Sequence, residues 1–339
     1  MPLITKKNIL LTGAGFSANF GGLLAREMWS KILSNPRMDQ IPEIQKVLRK
    51  NFDFEDVYSE IKNNGQIDPA DKELFQQIVL ESYSSMDDAL KYYSTGSFAK
   101  SNIYIGNVIQ WLGNFSGAKG EIGAHFTLNQ DLLIERETHI MPLGLSTPSN
   151  KVYRDLINSR QIDSTVQIQL PDEPALEEYK SKYLPSNGDY CFIKLHGSLG
   201  WLSHDGHNQL ILGTNKVNDI AKEPLLKWYF EIFKEAISQK GVKLFILGYS
   251  FRDQHINEII LNAIIEYNLK IYIISPEDPE TCKNRLEGKK NPGEIYEVLK
   301  TIKIWEAVHG YFPYKLNEIF PANQVRTAVA QDIKKAMEQ

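Results

Sequence analysis

Near its start the chain carries an unbroken apolar run, Ile9, Leu10 and Leu11, so residues 8–12 read as a buried strand. Residues 17–34 then read as a helix with Leu23, Leu24, Met28 and Ile32 on one face. From about 41 to 115 the pattern stays helical: Phe54, Val57, Tyr58 and Ile61 fall at i, i+3, i+4 and i+7, and residues 71–93 continue in that style. Strand text resumes at 123–128, passes to a helix at 130–136 and returns at 140–145. Residues 146–190 are irregular, interrupted by Pro148, Pro171, Pro174 and Pro185, with a short strand at 166–170 and a helix at 173–182. An apolar strand at 190–195 is followed by a hairpin over 201–212 turning at Asp205-Gly206. Helix 224–238, strand 243–247, helix 253–265 and strand 269–274 alternate before helices to the end.

Strands alternating with helices argue a Rossmann-like α/β fold, a parallel sheet with helices on both faces, into which the helical stretch is inserted. The expected organisation is a discontinuous nucleotide-binding domain over 1–34 and 120–310, a helical insertion over 35–119 and a C-terminal helical segment over 311–339. With 339 residues the core is substantial. A net charge of -4 provides no broad basic field, so neither direct nucleic-acid binding nor attachment to an anionic membrane is expected. The clustered Lys283, Arg285, Lys289 and Lys290 read as a solvated surface. Cys191 and Cys282, the two cysteines present, exclude a disulfide framework and any four-cysteine zinc ribbon, and a reducing cytoplasm fits that usage. The apolar stretch after Lys6 and Lys7 is a poor signal peptide, and no run approaches the roughly 18 apolar residues of a membrane span.

Four segments carry candidate chemistry, each where a strand ends, which is where open α/β sheets place ligands. Thr12 leads into Gly13, Ala14, Gly15, Phe16 and Ser17, a glycine turn suited to close approach of a pyrophosphate, with Ala18 small enough for helix–strand packing. Thr127-Leu128-Asn129-Gln130-Asp131 puts an amide and a carboxylate two residues apart; read without function, Asn129 caps a helix and Asp131 sits in its first turn. Lys194-Leu195-His196-Gly197-Ser198 frees a histidine at a strand end, as an acid, a base, a ribose contact or a hydrogen-bonded structural residue. The last, Leu247-Gly248-Tyr249-Ser250-Phe251-Arg252-Asp253-Gln254-His255-Ile256-Asn257, is a second glycine turn, in which Ser250 and Asp253 read alternatively as helix caps. A dehydrogenase fingerprint would need a second strand with an acidic ribose clamp about 20 residues after the first turn, and helical text occupies that place.

Taken together and in this order, the four segments resemble the sirtuin family, and more closely the bacterial sirtuin-like NAD hydrolases of antiphage defence. Those carry Lys-Leu-His-Gly-Ser and Gly-Tyr-Ser-Phe-Arg-Asp-x-His-Ile-Asn nearly as they stand here. The resemblance implies NAD+ as substrate and a site in which Asn129, His196 and Asp131 carry the chemistry. Asn129 would orient water and ribose, Asp131 would engage the nicotinamide amide or its loop, and His196 would act as base on the ribose hydroxyls. It implies that Gly13, Ala14, Gly15, Phe16, Ser17 and Thr127 serve the dinucleotide, with Gly248, Tyr249, Ser250 and Ser275 near the adenosine. It further implies an antiviral role and control through a homo-oligomer or a separately encoded partner, a helicase-like ATPase or a nucleic-acid-guided protein. Departures matter: the four-cysteine zinc module of deacylating sirtuins has no counterpart, so no zinc is expected, and Gly21-Gly22-Leu23-Leu24 replaces their Gly-Ile-Pro-Asp-Phe-Arg stretch. The reading is therefore cleavage of NAD+ to nicotinamide and ADP-ribose, with ADP-ribosyl transfer or a non-catalytic NAD or ADP-ribose sensor as alternatives.

Overall fold

The computed structural model describes residues 5–95, 102–117, 121–137, 162–183, 190–287 and 303–339. The strand expected at 140–145 and the lysines at 289 and 290 lie outside the described residues.

Strand β1 (Thr5–Thr12) leads through a short helix α1 (Ala14–Ala18) into α2 (Ala25–Leu33), α3 (Pro42–Lys50), α4 (Phe54–Asn63), α5 (Pro69–Thr95) and α6 (Ile105–Leu112). Next come β2 (Ile122–Thr127), α7 (Leu133–Glu137), β3 (Ile168–Gln169), α8 (Glu173–Tyr183), β4 (Tyr190–Lys194), β5 (Gly197–Leu202) and β6 (Asn208–Leu210). The remainder is α9 (Lys216–Lys222), α10 (Pro224–Ile237), β7 (Lys243–Leu247), α11 (Gln254–Tyr267), β8 (Lys270–Ile274), α12 (Pro279–Leu286), β9 (Val308–Phe312), α13 (Leu316–Ile319) and α14 (Ala328–Glu338). Six strands pair in parallel in the order β4-β2-β1-β7-β8-β9. Numbered along the chain within this sheet, that is 3-2-1-4-5-6, the doubly wound order whose ligand crevice opens where the strand order reverses, between β1 and β7.

Successive strand residues face opposite sides, and both sides are covered. Ile9 and Leu11 of β1 join Phe126, Ile193, Leu244 and Ile246 against α10 and α11, while Leu10 joins Phe192, Phe245 and Tyr272 against α6 and α14. Burial on both faces is why these strands appear in the sequence as unbroken apolar runs. Each fully buried aliphatic side chain there contributes about 1.5–3 kcal/mol of apolar transfer free energy. A separate core belongs to the helical layer, with Met28 and Ile32 of α2 packed among Ile44, Leu48, Phe54, Val57, Phe75 and Ile78.

Two expectations are corrected by this architecture. The helix foreseen over 17–34 is broken, because Gly21 takes φ +97°, and the chain restarts as α2 at Ala25. By packing, α2 joins the helical layer, and α6, through Val108, Trp111 and Leu112, packs on the sheet. Instead of helices alone to the C-terminus, β9 adds a sixth strand at the sheet edge; its residues are only half-buried or exposed, so it leaves no apolar run to read. The hairpin forms as β5 and β6, with Gly206 at φ +90° in its turn. Among the described residues no helix is long and apolar enough to cross a membrane.

Candidate active site

Strand register places the motifs in one row. Thr12 lies beside Thr127 and Leu247, Thr127 beside Lys194, and Leu247 beside Ile274, so all four motif segments and Ser275 leave the sheet at the same carboxyl edge.

At the switch point two glycine turns meet each other. The Gly13 N–H donates to the Leu247 carbonyl at 3.0 Å and the Gly15 N–H to the Gly248 carbonyl at 2.9 Å. A Cβ on Gly15 would stand 2.8 Å from Gly248 Cα, and Gly248 itself adopts φ +68°. The close backbone approach that demands glycine is therefore made by the opposing turn, and these two amides are already donated within the protein. Phe16 is buried against Phe20, Ala14 is exposed, and Ser17 turns inward.

Ser17 joins the first two motifs. Its Oγ donates to Asp131 Oδ2 at 2.7 Å and accepts from Asn129 Nδ2 at 2.9 Å, a three-member network of expected site residues. The other Asp131 oxygen accepts the Leu133 N–H at 3.1 Å, so Asp131, not Asn129, caps the start of α7. Burial raises the Asp131 carboxyl above the usual range, opposed by the Lys194 ammonium and the Ser17 hydroxyl. Thr127 is buried and braces rather than faces the crevice: its Oγ1 accepts from Thr12 Oγ1 at 2.9 Å and from the Asn129 N–H at 3.1 Å.

The loop is anchored from beneath by two buried ion pairs. Lys194, 0% exposed, donates to the Asp131 carbonyl and to Glu135 Oε1 at 2.7 Å. Arg136 pairs with Asp87 of α5, whose Oδ1 also accepts the Leu132 N–H at 2.9 Å. Pairs this dry add little net stability over apolar packing, but breaking one strands a charge, so they fix the loop's position.

His196 follows β4 by two residues, as Asn129 follows β2. Its backbone carbonyl accepts from Gln130 Nε2 at 3.1 Å, which ties the two motifs together. The imidazole is 3% exposed, lies nearly parallel to the Phe230 ring, and puts Nε2 3.0 Å from His255 Nε2. Burial pushes His196 down to about 3, against the pull of Asp253, so the ring is neutral across the physiological range.

His255, Lys216 and Glu55 were not singled out by sequence, and Asp253 was read only as a cap. Asp253 does not cap α11 with its side chain; Oδ1 instead takes Lys216 Nζ at 2.7 Å, and Lys216 reaches Glu55 Oε2 of α4 at 2.6 Å. Burial would raise the Asp253 carboxyl, but the Lys216 ammonium bonded to Oδ1 holds it below the usual range. Among the described residues His196, Asp253 and His255 form the one group whose ligand-capable atoms, within 4.8 Å of each other, have the spacing to hold a cation. The signal available in sequence was the Asp-x-His spacing at the mouth of the second glycine turn; nothing in the sequence ties Glu55 or Lys216 to it.

Tyr249, expected near the adenosine, is turned into the protein, where its hydroxyl donates to Asn257 Oδ1 at 2.9 Å and braces the turn. Ser250 is exposed, with its carbonyl accepting from Arg285 at 2.8 Å. Ser275 sits at the end of β8 with its Oγ accepting the Glu277 N–H at 3.3 Å. Gly248 is thus joined directly to the first motif, while Ser250 and Ser275 share its edge of the sheet without touching the Ser17 network.

Comparison with known proteins finds a likeness for the larger part of this arrangement. Residues 124–292 match the family model of the SIR2-like domain, and no curated protein matches the chain. The matched stretch runs from β2 past α12, and takes in Asn129, Asp131, His196, Gly248, Ser250 and Ser275. On a Rossmann-like sheet whose motifs converge at the switch point, residues 124–292 are thus similar to the SIR2-like domain, a domain whose members use NAD+ as substrate.

Proposed function

We propose that this protein is an NAD+ glycohydrolase that cleaves NAD+ to nicotinamide and ADP-ribose, and that it acts as an NAD-depleting effector in antiphage defence. The observation that carries the chemistry is the hydrogen-bonded group Ser17, Asn129 and Asp131 standing at the same sheet edge as a buried, neutral His196. Breaking the bond between nicotinamide and ribose develops an oxocarbenium-like centre, and the leaving ring departs as a neutral base that needs no acid. What the site must do is orient the ribose, hold one water at the anomeric carbon and keep other water out.

Asn129 is fixed at its backbone by Thr127 and at its side chain by Ser17, so its amide oxygen is presented in one direction to ribose or water. Asp131 works through Ser17 and through α7, since each of its oxygens already accepts a protein hydrogen bond. His196 takes the proton that water loses as it bonds to carbon; water attacking a cation is acidic enough for a weak base to serve. In the proposal the dinucleotide runs from this pocket across the Gly15–Gly248 contact toward Ser250 and Ser275. Control comes from self-assembly or a separately encoded partner, since an unrestrained NAD+ hydrolase would poison its own cell.

The test is chromatography of NAD+ incubated with the purified protein, alone, concentrated, and with encoded neighbours, without acyl-peptide. Equal nicotinamide and free ADP-ribose are expected. Label retained on protein would assign transfer instead, and tight NAD+ binding with no product under any condition would assign a sensor. Loss of cellular NAD+ on phage challenge, dependent on Asn129, tests the defence role.

A further inference from the structure

With substrate over the crevice, a base buried as deeply as His196 needs a neighbouring side chain to shed the proton it gains. The structure offers one neighbour for that proton. His196 Nε2 and His255 Nε2 are 3.0 Å apart, so one of the two nitrogens donates to the other, and no described residue hydrogen-bonds His196 Nδ1. His255 is only partly buried, at the first turn of α11, and so stands between His196 and solvent. Asp253 faces both rings, with its Oδ1 held by Lys216 and Lys216 held in turn by Glu55. Glu258, one turn further along α11, also faces His255.

From this geometry we infer that His255 is the positioning residue and proton outlet of His196: its Nε2 accepts the His196 Nε2–H, leaving His196 Nδ1 as the lone pair presented to the substrate. The inference rests on the hydrolase reading for its chemistry, though not for its geometry. The step balances as follows. The water oxygen bonds to the anomeric carbon as the bond to the nicotinamide nitrogen breaks, and that electron pair stays on the ring. The water proton passes to His196 Nδ1, the His196 Nε2 proton passes to His255 Nε2, and the His255 Nδ1 proton leaves to solvent. Nicotinamide, ADP-ribose and one proton result, and once products leave the pair resets by the reverse relay: solvent protonates His255 Nδ1, the His255 Nε2 proton returns to His196 Nε2, and the His196 Nδ1 proton leaves through the emptied crevice. Asp253 is the fixed negative charge that makes the shared, doubly protonated pair tolerable during transfer, because burial disfavours a charge on either ring.

A cation bridging the same nitrogens is the competing occupant. It is disfavoured here by the Lys216 ammonium against Asp253 and by the positive charge that develops on the ribose during bond cleavage.

The experiment compares wild type, His255→Gln and His255→Ala by turnover, KM, pH profile and metal content, with circular dichroism as a check on folding. Glutamine can orient His196 but cannot carry a proton, so turnover should fall about 10–100-fold while KM for NAD+ stays within about 3-fold. Millimolar imidazole should restore part of the activity of His255→Ala, because the site is partly open. Full turnover in His255→Gln overturns the relay, as does stoichiometric divalent metal whose removal abolishes activity. A second readout does not need NAD+ cleavage. Long-range proton–nitrogen NMR of the intact chain should show His196 protonated at Nε2 and His255 bare at Nε2, with the His196 tautomer kept in His255→Gln and changing in His255→Ala. The opposite tautomers, or an unchanged tautomer in His255→Ala, overturn the inference even if the protein proves inert toward NAD+, an inertness that would itself count only against the hydrolase reading.

Discussion

Two buried histidines on neighbouring strands separate what burial does from what a site does. His125 lies inside the sheet on β2, with Nδ1 at 2.7 Å from the Tyr190 hydroxyl and Nε2 at 2.9 Å from Thr12 Oγ1. His196 lies just past the end of β4, with Nε2 engaged by His255. Burial pushes both down to about 3. The perturbation is the same, yet the inner ring has both nitrogens committed to the protein and the outer ring keeps one for something else. A depressed imidazole is thus no mark of catalysis by itself; what sets the outer ring apart is an uncommitted nitrogen at the crevice edge.

The sharpest way to break this comparison is to remove the outer groups. Asn129→Ala or His196→Ala should lower single-turnover cleavage of NAD+ by at least about 100-fold, equivalent to roughly 2.7 kcal/mol of barrier. Calorimetric NAD+ affinity and melting temperature should change far less. Equal losses of binding and chemistry in a folded His196→Ala would make the outer ring structural too.

Gly15→Val should act on structure instead. Its Cβ would sit 2.8 Å from the Gly248 backbone, which has no side chain to move aside, at a cost of about 2 kcal/mol in urea unfolding together with loss of NAD+ binding. His125→Phe comes next. It leaves the Tyr190 hydroxyl without its imidazole partner, for about 1–2 kcal/mol of stability, and should change turnover per folded molecule much less than His196→Ala does.

The pH dependence is smaller and shared by the two rings. Both stay neutral in the folded protein down to about pH 3, whereas in the unfolded chain they titrate near 6.5. The unfolded chain therefore binds more protons in that window, and stability falls as pH drops through it. Melting His125→Phe from pH 7 to pH 4 should show a shallower fall than wild type. The smallest expected effect is that of chelators: exhaustive dialysis against EDTA should leave turnover and melting temperature unchanged, checked by elemental analysis of the sample.

The sequence announced those parts of the fold that are buried on both sides. Ile9 to Leu11, Phe126, Phe192, Phe245 and Ile271 sit in continuous apolar runs because helices cover both faces of the sheet. It was silent on β9, whose residues are half-covered, and it ran α1 and α2 together because a left-handed Gly21 is not visible as a break in hydrophobic period. The Ser17, Asn129 and Asp131 network was legible as residue types at strand ends, though its internal bonding was not. Glu55, Lys216 and Asp253 were illegible as a group, because an ion pair between a helical layer and a sheet turn leaves no local pattern. Tyr249, expected near the adenosine as a motif member, has a hydroxyl that bonds Asn257 within the turn, a contact that the motif's residue types do not announce.

The lacing of the two glycine turns has a mechanical consequence. Gly13 and Gly15 give their amides to Leu247 and Gly248 at the midline of the sheet, with no space for even a methyl group between the turns. Sliding one half of the sheet past the other would break both bonds at once and bring backbone against backbone. The midline is a seam and not a hinge. On the helical side the site is closed by side chains instead, where Glu55 of α4 meets Lys216 and, through it, the carboxylate beside the two histidines.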